Sequence, residues 1–182
     1  MHRTAILNKL REYQPYDQHE RDMYETLVRF VETERNCFDR GLRIGHITGS
    51  AWIIDHSHSK ALLTHHYKLD RWLQLGGHAD GDPDILRVAL REAREESGIE
   101  HIRPLAETIF DVDVHPIPPH DLEPRHLHYD VRFLLEADAD ASLVISNESK
   151  DLSWIILTEI AQITTDRSIT RMVEKSLERW GR

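Results

Sequence analysis

The chain is expected to fold as an α/β (α+β) sandwich preceded by a helical extension. Three observations carry that expectation. Two helical patterns fill the first 41 residues, β-branched and aromatic stretches recur on both sides of a helix at 84–97, and the C-terminus is an amphipathic helix. The order divides the chain into an extension, 1–41, and a main domain, 42–182.

The first helix is expected from Thr4 to Tyr13, ended by Pro15. In the second, Asp17 is the N-cap and Glu20 its capping-box partner, while Met23, Leu27, Phe30, Val31 and Phe38 form an apolar stripe that stops at Gly41. Cys37 therefore falls in a helix and reads as buried packing. Strands are expected at Ile44 to Asp55, Ala61 to His66, Trp72 to Leu75, Glu107 to Val114, His126 to Glu136 and Leu152 to Leu157. Residues 115–124 hold four of the seven prolines and read as a loop. Trp52 and Trp72 read as core. Asp166 caps the last helix, whose apolar face is Ile169, Met172, Val173, Leu177 and Trp180.

Composition narrows the function. With 23 Lys plus Arg against 32 Asp plus Glu, the net charge of −9 excludes a basic surface for long nucleic acid. No apolar run is long enough to span a bilayer, and the N-terminal residues lack the apolar stretch of a signal peptide, so no membrane partner and a cytoplasmic location are expected. One cysteine permits no internal disulfide, in keeping with a reducing compartment. Thirteen histidines are the one compositional excess.

The central helix is the most informative segment. Asp82 is expected at its N-cap, Pro83 at its first position and Gly98 beyond its last turn, with Ile85, Leu86, Ala89, Leu90 and Ala93 on the buried face. Glu92, Glu95 and Glu96 stand at i, i+3 and i+4, so their carboxylates converge beside that face. Left unneutralised, they repel. A solvated acidic face is one reading, but it explains neither the preceding glycines nor Glu96 next to the core stripe. Three hard oxygen donors at one point suit Mg²⁺ or Mn²⁺.

Residues 77–99 resemble the Nudix box, Gly-x5-Glu-x7-Arg-Glu-u-x-Glu-Glu-x-Gly-u, where u is aliphatic or small. Gly77, Arg91, Glu92, Ala93, Glu95, Glu96, Gly98 and Ile99 meet eight of its nine fixed positions. Pro83 replaces the first box glutamate, which leaves Asp82, Asp84 or Glu95 as the expected partner of Arg91. The resemblance implies a Nudix-like α/β/α sandwich with a mixed sheet over residues 42–180. It also implies a divalent-metal-dependent hydrolase of a diphosphate linkage in a small nucleotide-type substrate. Carried over, Glu92, Glu95 and Glu96 bind Mg²⁺ (or Mn²⁺), the carbonyl of Gly77 adds a ligand, and a carboxylate orients or deprotonates the attacking water. Glu148, in a loop before the strand bearing Trp154, is a further candidate ligand or base, with an ordinary surface residue as the other reading.

For the substrate, Lys68 and Arg71 are candidate phosphate contacts or a solvated strand end. His126, His128 and Asp130 share one face of a strand. That face reads as a solvent-facing polar stripe or a wall of the substrate cleft, with a second, softer metal site as the alternative. His115 and His120 lie in the proline-rich loop, within reach of a substrate. A noncatalytic Nudix-like module that binds a nucleotide or sugar nucleotide as a sensor is the competing function, and the intact carboxylates favour the enzyme. The acidic balance weighs against RNA end processing, and Cys37 lies too far from the box for isoprenoid diphosphate isomerisation. The N-terminal helices offer surface for a homodimer.

Overall fold

A computed structural model describes residues 2–119, 124–146 and 149–181. The elements in chain order are α1 (Thr4–Glu12), α2 (Gln18–Thr33), β1 (Gly45–Asp55), β2 (Lys60–His66), β3 (Arg71–Leu73), β4 (Leu75–His78), α3 (Ile85–Ser97), β5 (Arg103–Pro104), β6 (Asp111–Ile117), β7 (His126–Ala137), β8 (Ser149–Ile156), a 3₁₀ turn at Leu157–Gln162 and α4 (Arg167–Trp180). The class is α/β, with two helices ahead of the strands, as expected. The chain divides into two compact units, Met1–Ser50 with Gly77–Ala89 and Glu107–Phe133, and Ala51–Gly76 with Leu90–Ala106 and Leu134–Arg182.

In the first unit, α1 and α2 pack through Ile6, Leu10, Leu27 and Phe30, all buried, and Tyr24 donates to the Leu10 carbonyl at 3.0 Å. Asp17 caps α2 by accepting from the Glu20 amide at 2.7 Å. Glu20 also reaches beyond the cap. It is fully buried and accepts from the amides of Tyr16 at 2.6 Å and Val112 at 3.1 Å, so it satisfies a strand amide of β6 against which α2 packs. The helix ends at Thr33, five residues before Phe38. Cys37 and Phe38 are buried in the turns that follow, so Cys37 is core without being helical, and burial pushes its thiol up to about 11.

β6 runs antiparallel to β7 from Asp111 opposite Arg132 to Ile117 opposite His126. His115 and Pro116 thus belong to a strand that was expected to have ended. Pro116 is tolerated because, among the described residues, β6 pairs only with β7, so its missing amide interrupts no second ladder. Gly49 of β1 faces the first turns of α3. A Cβ there would stand 2.9 Å from the Ile85 carbonyl and 3.0 Å from the Val88 side chain, so only glycine permits this approach.

In the second unit β2 carries β8 along its length, from Lys60 opposite Ile156 to His66 opposite Ser149, and also pairs with β1 at Ile53 opposite Leu62 and with β3 at Thr64 opposite Leu73. Trp52 is fully buried and donates to Ser176 of α4 at 2.9 Å. Asp166 caps α4 through the Ser168 amide at 2.9 Å. Leu177 is exposed, and buried Ser176 takes the place expected for it because its hydroxyl answers Trp52. Among the described residues, no helix is long and apolar enough to cross a membrane.

Candidate active site and histidine cluster

The segment leading to α3 is held by backbone hydrogen bonds. The Ala79 amide donates to Ile47 at 3.3 Å, Gly81 donates to Phe38 at 2.8 Å, and Asp80 and Gly81 take positive φ of 48° and 86°. The glycines that precede α3 lie in a strand, since Gly76, Gly77 and His78 belong to β4. The cap differs from the expected one. Asp84 accepts the first helical bond from Val88 at 3.0 Å on its carbonyl and the Arg87 amide at 3.2 Å on its side chain, which makes it the N-cap in place of Asp82. Pro83 therefore precedes the cap, where its fixed φ suits the extended approach. Gly98 closes the helix at φ 72° as expected. Val88 joins Ile85, Ala89 and Ala93 on the buried face, whereas Leu86 and Leu90 are only half-buried.

The three box glutamates lie on the last turns of α3. Glu92 and Glu96 are half-buried and Glu95 is exposed. Arg91 donates to Glu92 at 2.6 Å, while Asp82 engages Arg87 in a bidentate pair at 2.6 and 2.8 Å. Arg91 thus pairs with the next residue in the chain, a partner outside the three expected, while Asp82 engages the first turn. By donor type and spacing, three carboxylates at i, i+3 and i+4 on α3 suit hard divalent ions such as Mg²⁺ or Mn²⁺.

Lys68 and Arg71 are exposed, Lys68 in the turn before β3 and Arg71 at the start of that strand. Arg71 borders a groove of about 480 Å³ lined also by His65, Asp70, Trp72 and residues 163–166. Trp72 is only half-buried there and stacks on His65 with ring centroids 5.1 Å apart, so it is groove wall and not core. Lys150 reaches Asp70 at 2.7 Å, and that hydrogen bond with its charge holds the Asp70 carboxyl below its usual range. Glu148 and His120 lie outside the described residues.

His126 and His128 face a group that sequence spacing alone did not assemble. His46 from β1, His78 from β4 and His128 from β7 place a ligand atom each within 4.8 Å of one another. The His46 ring lies 4.9 Å from those of His78 and His128 and 5.0 Å from that of His126, and His115 is 5.7 Å from His128. Burial first, then the neighbouring imidazoles, drive the pKa of His128 down to about 2, so it is neutral throughout the physiological range. Two faint signals existed in the sequence. His46 alternates with Thr48 and Ser50 as His126 and His128 alternate with Asp130, and His78 directly follows Gly77.

Asp130, grouped with those histidines by its alternation, does other work. It is buried, accepts from Thr48 at 2.8 Å and Ser50 at 2.7 Å, and receives Arg132 at 2.7 Å. Arg132 also reaches Asp111 at 3.2 Å and Asp113 at 3.4 Å. Burial opposes its charge, but the three aspartates more than compensate and hold it firmly protonated.

The NUDIX domain family matches residues 46–175, and the chain belongs to that family. Among solved structures it is similar to an Ap4A hydrolase of C. elegans in a binary complex, with 17% identity, a TM-score of 0.52 and coverage of 71% of this chain and 93% of that one. It is also similar to the NUDIX domain of Shewanella oneidensis NrtR complexed with ADP ribose, at 17% identity, a TM-score of 0.54 and coverage of 83% and 96%. A third is the E. coli dihydroneopterin triphosphate pyrophosphohydrolase, at 16% identity, a TM-score of 0.55 and coverage of 71% and 92%. At these identities the likeness is one of fold. No curated protein matches the sequence.

Proposed function

We propose that the protein is a divalent-metal-dependent hydrolase of a diphosphate linkage in a small nucleotide-type substrate, acting through residues 42–182 with 1–41 as an appended helical extension. The observation that carries the proposal is the spacing of Glu92, Glu95 and Glu96 at i, i+3 and i+4 on α3, within a chain that belongs to the NUDIX family. Glu92, Glu95 and Glu96, with the Gly77 carbonyl, are the groups assigned to hold Mg²⁺ or Mn²⁺. The ion supplies charge neutralisation and Lewis acidity toward the phosphoryl oxygens. The protein's part is positional. Arg91 orients Glu92, a carboxylate of the set or Glu148 receives the proton of the attacking water, and Lys68, Arg71, His126 and His128 are assigned to substrate. A net charge of −9 repels a polyanion, so substrate entry also depends on bound cations.

A panel of nucleoside diphosphate sugars, dinucleoside polyphosphates, ADP-ribose and modified nucleoside triphosphates, assayed with Mg²⁺, tests the proposal. Product from at least one is expected. Tight binding of a nucleotide with no product from any member would instead establish the sensor module. Homodimerisation and a cytoplasmic location belong to the same proposal, the first read by sedimentation and the second by localisation of the tagged chain.

A further inference from the structure

We propose that His46, His78 and His128 form a nitrogen-donor site for a borderline transition ion of the Zn²⁺ class, separate in chemistry from the carboxylate set on α3. The three rings come from β1, β4 and β7, and their ligand atoms already lie within 4.8 Å of one another. Around a tetrahedral zinc with bonds of about 2.0–2.1 Å, two nitrogens are about 3.3–3.4 Å apart, and the broad χ2 torsion of histidine supplies the remaining closure.

Burial gives the cluster its chemical logic. His46 is 3% exposed and His126 8%, with His78 and His128 half-buried. Each neutral imidazole carries one N–H and one lone pair, so every ring of the cluster can offer a donor nitrogen. A single ion accepts three lone pairs at once. Imidazole nitrogen prefers Zn²⁺, Co²⁺ or Ni²⁺ over Mg²⁺, which requires oxygen ligands.

The surrounding hydrogen bonds match an outer shell. His126 Nδ1 is 2.9 Å from the Pro124 carbonyl and must donate there, which leaves its Nε2 to accept from His128 Nε2 at 3.3 Å. In that tautomer the lone pair that His128 would offer to an ion is on Nδ1. His126 is thus a positioning residue for His128, the role that carbonyls and carboxylates commonly play behind metal-bound histidine. Three protein ligands leave a fourth position for an oxygen of water or phosphate.

The test is retention of Zn²⁺ by the full chain after desalting, read by elemental analysis, with Co²⁺ substitution read by visible absorption. One retained equivalent and the intense bands of a four-coordinate Co²⁺ centre are expected. His128→Gln and His46→Gln should abolish retention, His126→Ala should weaken it by roughly 10–100-fold, and Glu95→Gln should leave it unchanged. Should His46→Gln fail to fold by circular dichroism, His78→Gln, at a half-buried ring, gives the same readout. The site is refuted if the unmodified chain retains no Zn²⁺, or if His128→Gln retains it fully. Loss on Glu95→Gln would place the ion at the carboxylates and also overturn it. Hydrolysis is not read in any arm, so failure here leaves the proposed activity standing.

Discussion

Arg91 donates to the carboxylate of its immediate neighbour, Glu92, at 2.6 Å on the same turn of α3. In a box whose first glutamate is replaced by Pro83, this contact fixes the orientation of one carboxylate of the proposed metal set. Arg91→Ala is expected to lower kcat/KM by roughly 10–100-fold, the usual cost of losing a group that orients a ligand. Arg91→Lys, which keeps charge without the planar fork, should recover only part of it. Mg²⁺ titration of the activity checks the origin of the loss, because the variant should need more metal for half-maximal rate.

The Arg132 guanidinium bridges Asp111, Asp113 and Asp130 in buried surroundings. Arg132→Met leaves those carboxylates without it and is expected to destabilise the fold by about 3–5 kcal/mol. Urea unfolding followed by tryptophan fluorescence measures this. An unchanged midpoint would show that the aspartates are neutralised by other means.

Acid should unfold the protein partly through Glu136 and Asp55. Burial raises the carboxyl pKa of Glu136, but hydrogen bonds from His56, Arg103 and His58 outweigh it and lower the value below 4.5. Burial likewise opposes Asp55, and Ser57 with the amides of Lys60 and Ser59 brings it below 3.8. Both groups have depressed folded pKa values, so their contribution is present above the unfolded values and is lost as pH falls through the folded ones. Glu136→Gln should therefore flatten the decline of stability below about pH 4.5, measured as Tm against pH, while lowering Tm at neutral pH.

The thiol of Cys37 is buried and pushed up to about 11. It should resist maleimide and disulfide reagents at pH 8 in the native protein and react fully in denaturant. Labelling followed by mass spectrometry checks this, and rapid native labelling would contradict the burial.

What was legible in the sequence was local and periodic. The Asp17 and Asp166 caps, the Gly98 stop and the carboxylate spacing on α3 all follow from residues within a few positions of each other. The differences arose where partners outside the local pattern decided the outcome. Glu20 also takes the amide of Val112, and Asp84 displaces Asp82 as cap where Asp82 is taken by Arg87. Pro116 stays in a strand because β7 supplies the register. The histidine excess was visible as a count, but its grouping was not, since His46, His78 and His128 meet only through strand pairing. Their alternation with Asp130 was real, yet Asp130 answers Thr48, Ser50 and Arg132.

The most direct test of the proposed activity compares the unmodified chain with Glu95→Gln on whichever diphosphate the panel finds to be turned over, with Mg²⁺ and with excess chelator. The account predicts turnover that requires the metal and falls by on the order of 100-fold or more in the variant. Full-rate hydrolysis in chelator, or an undiminished rate in Glu95→Gln, would contradict it.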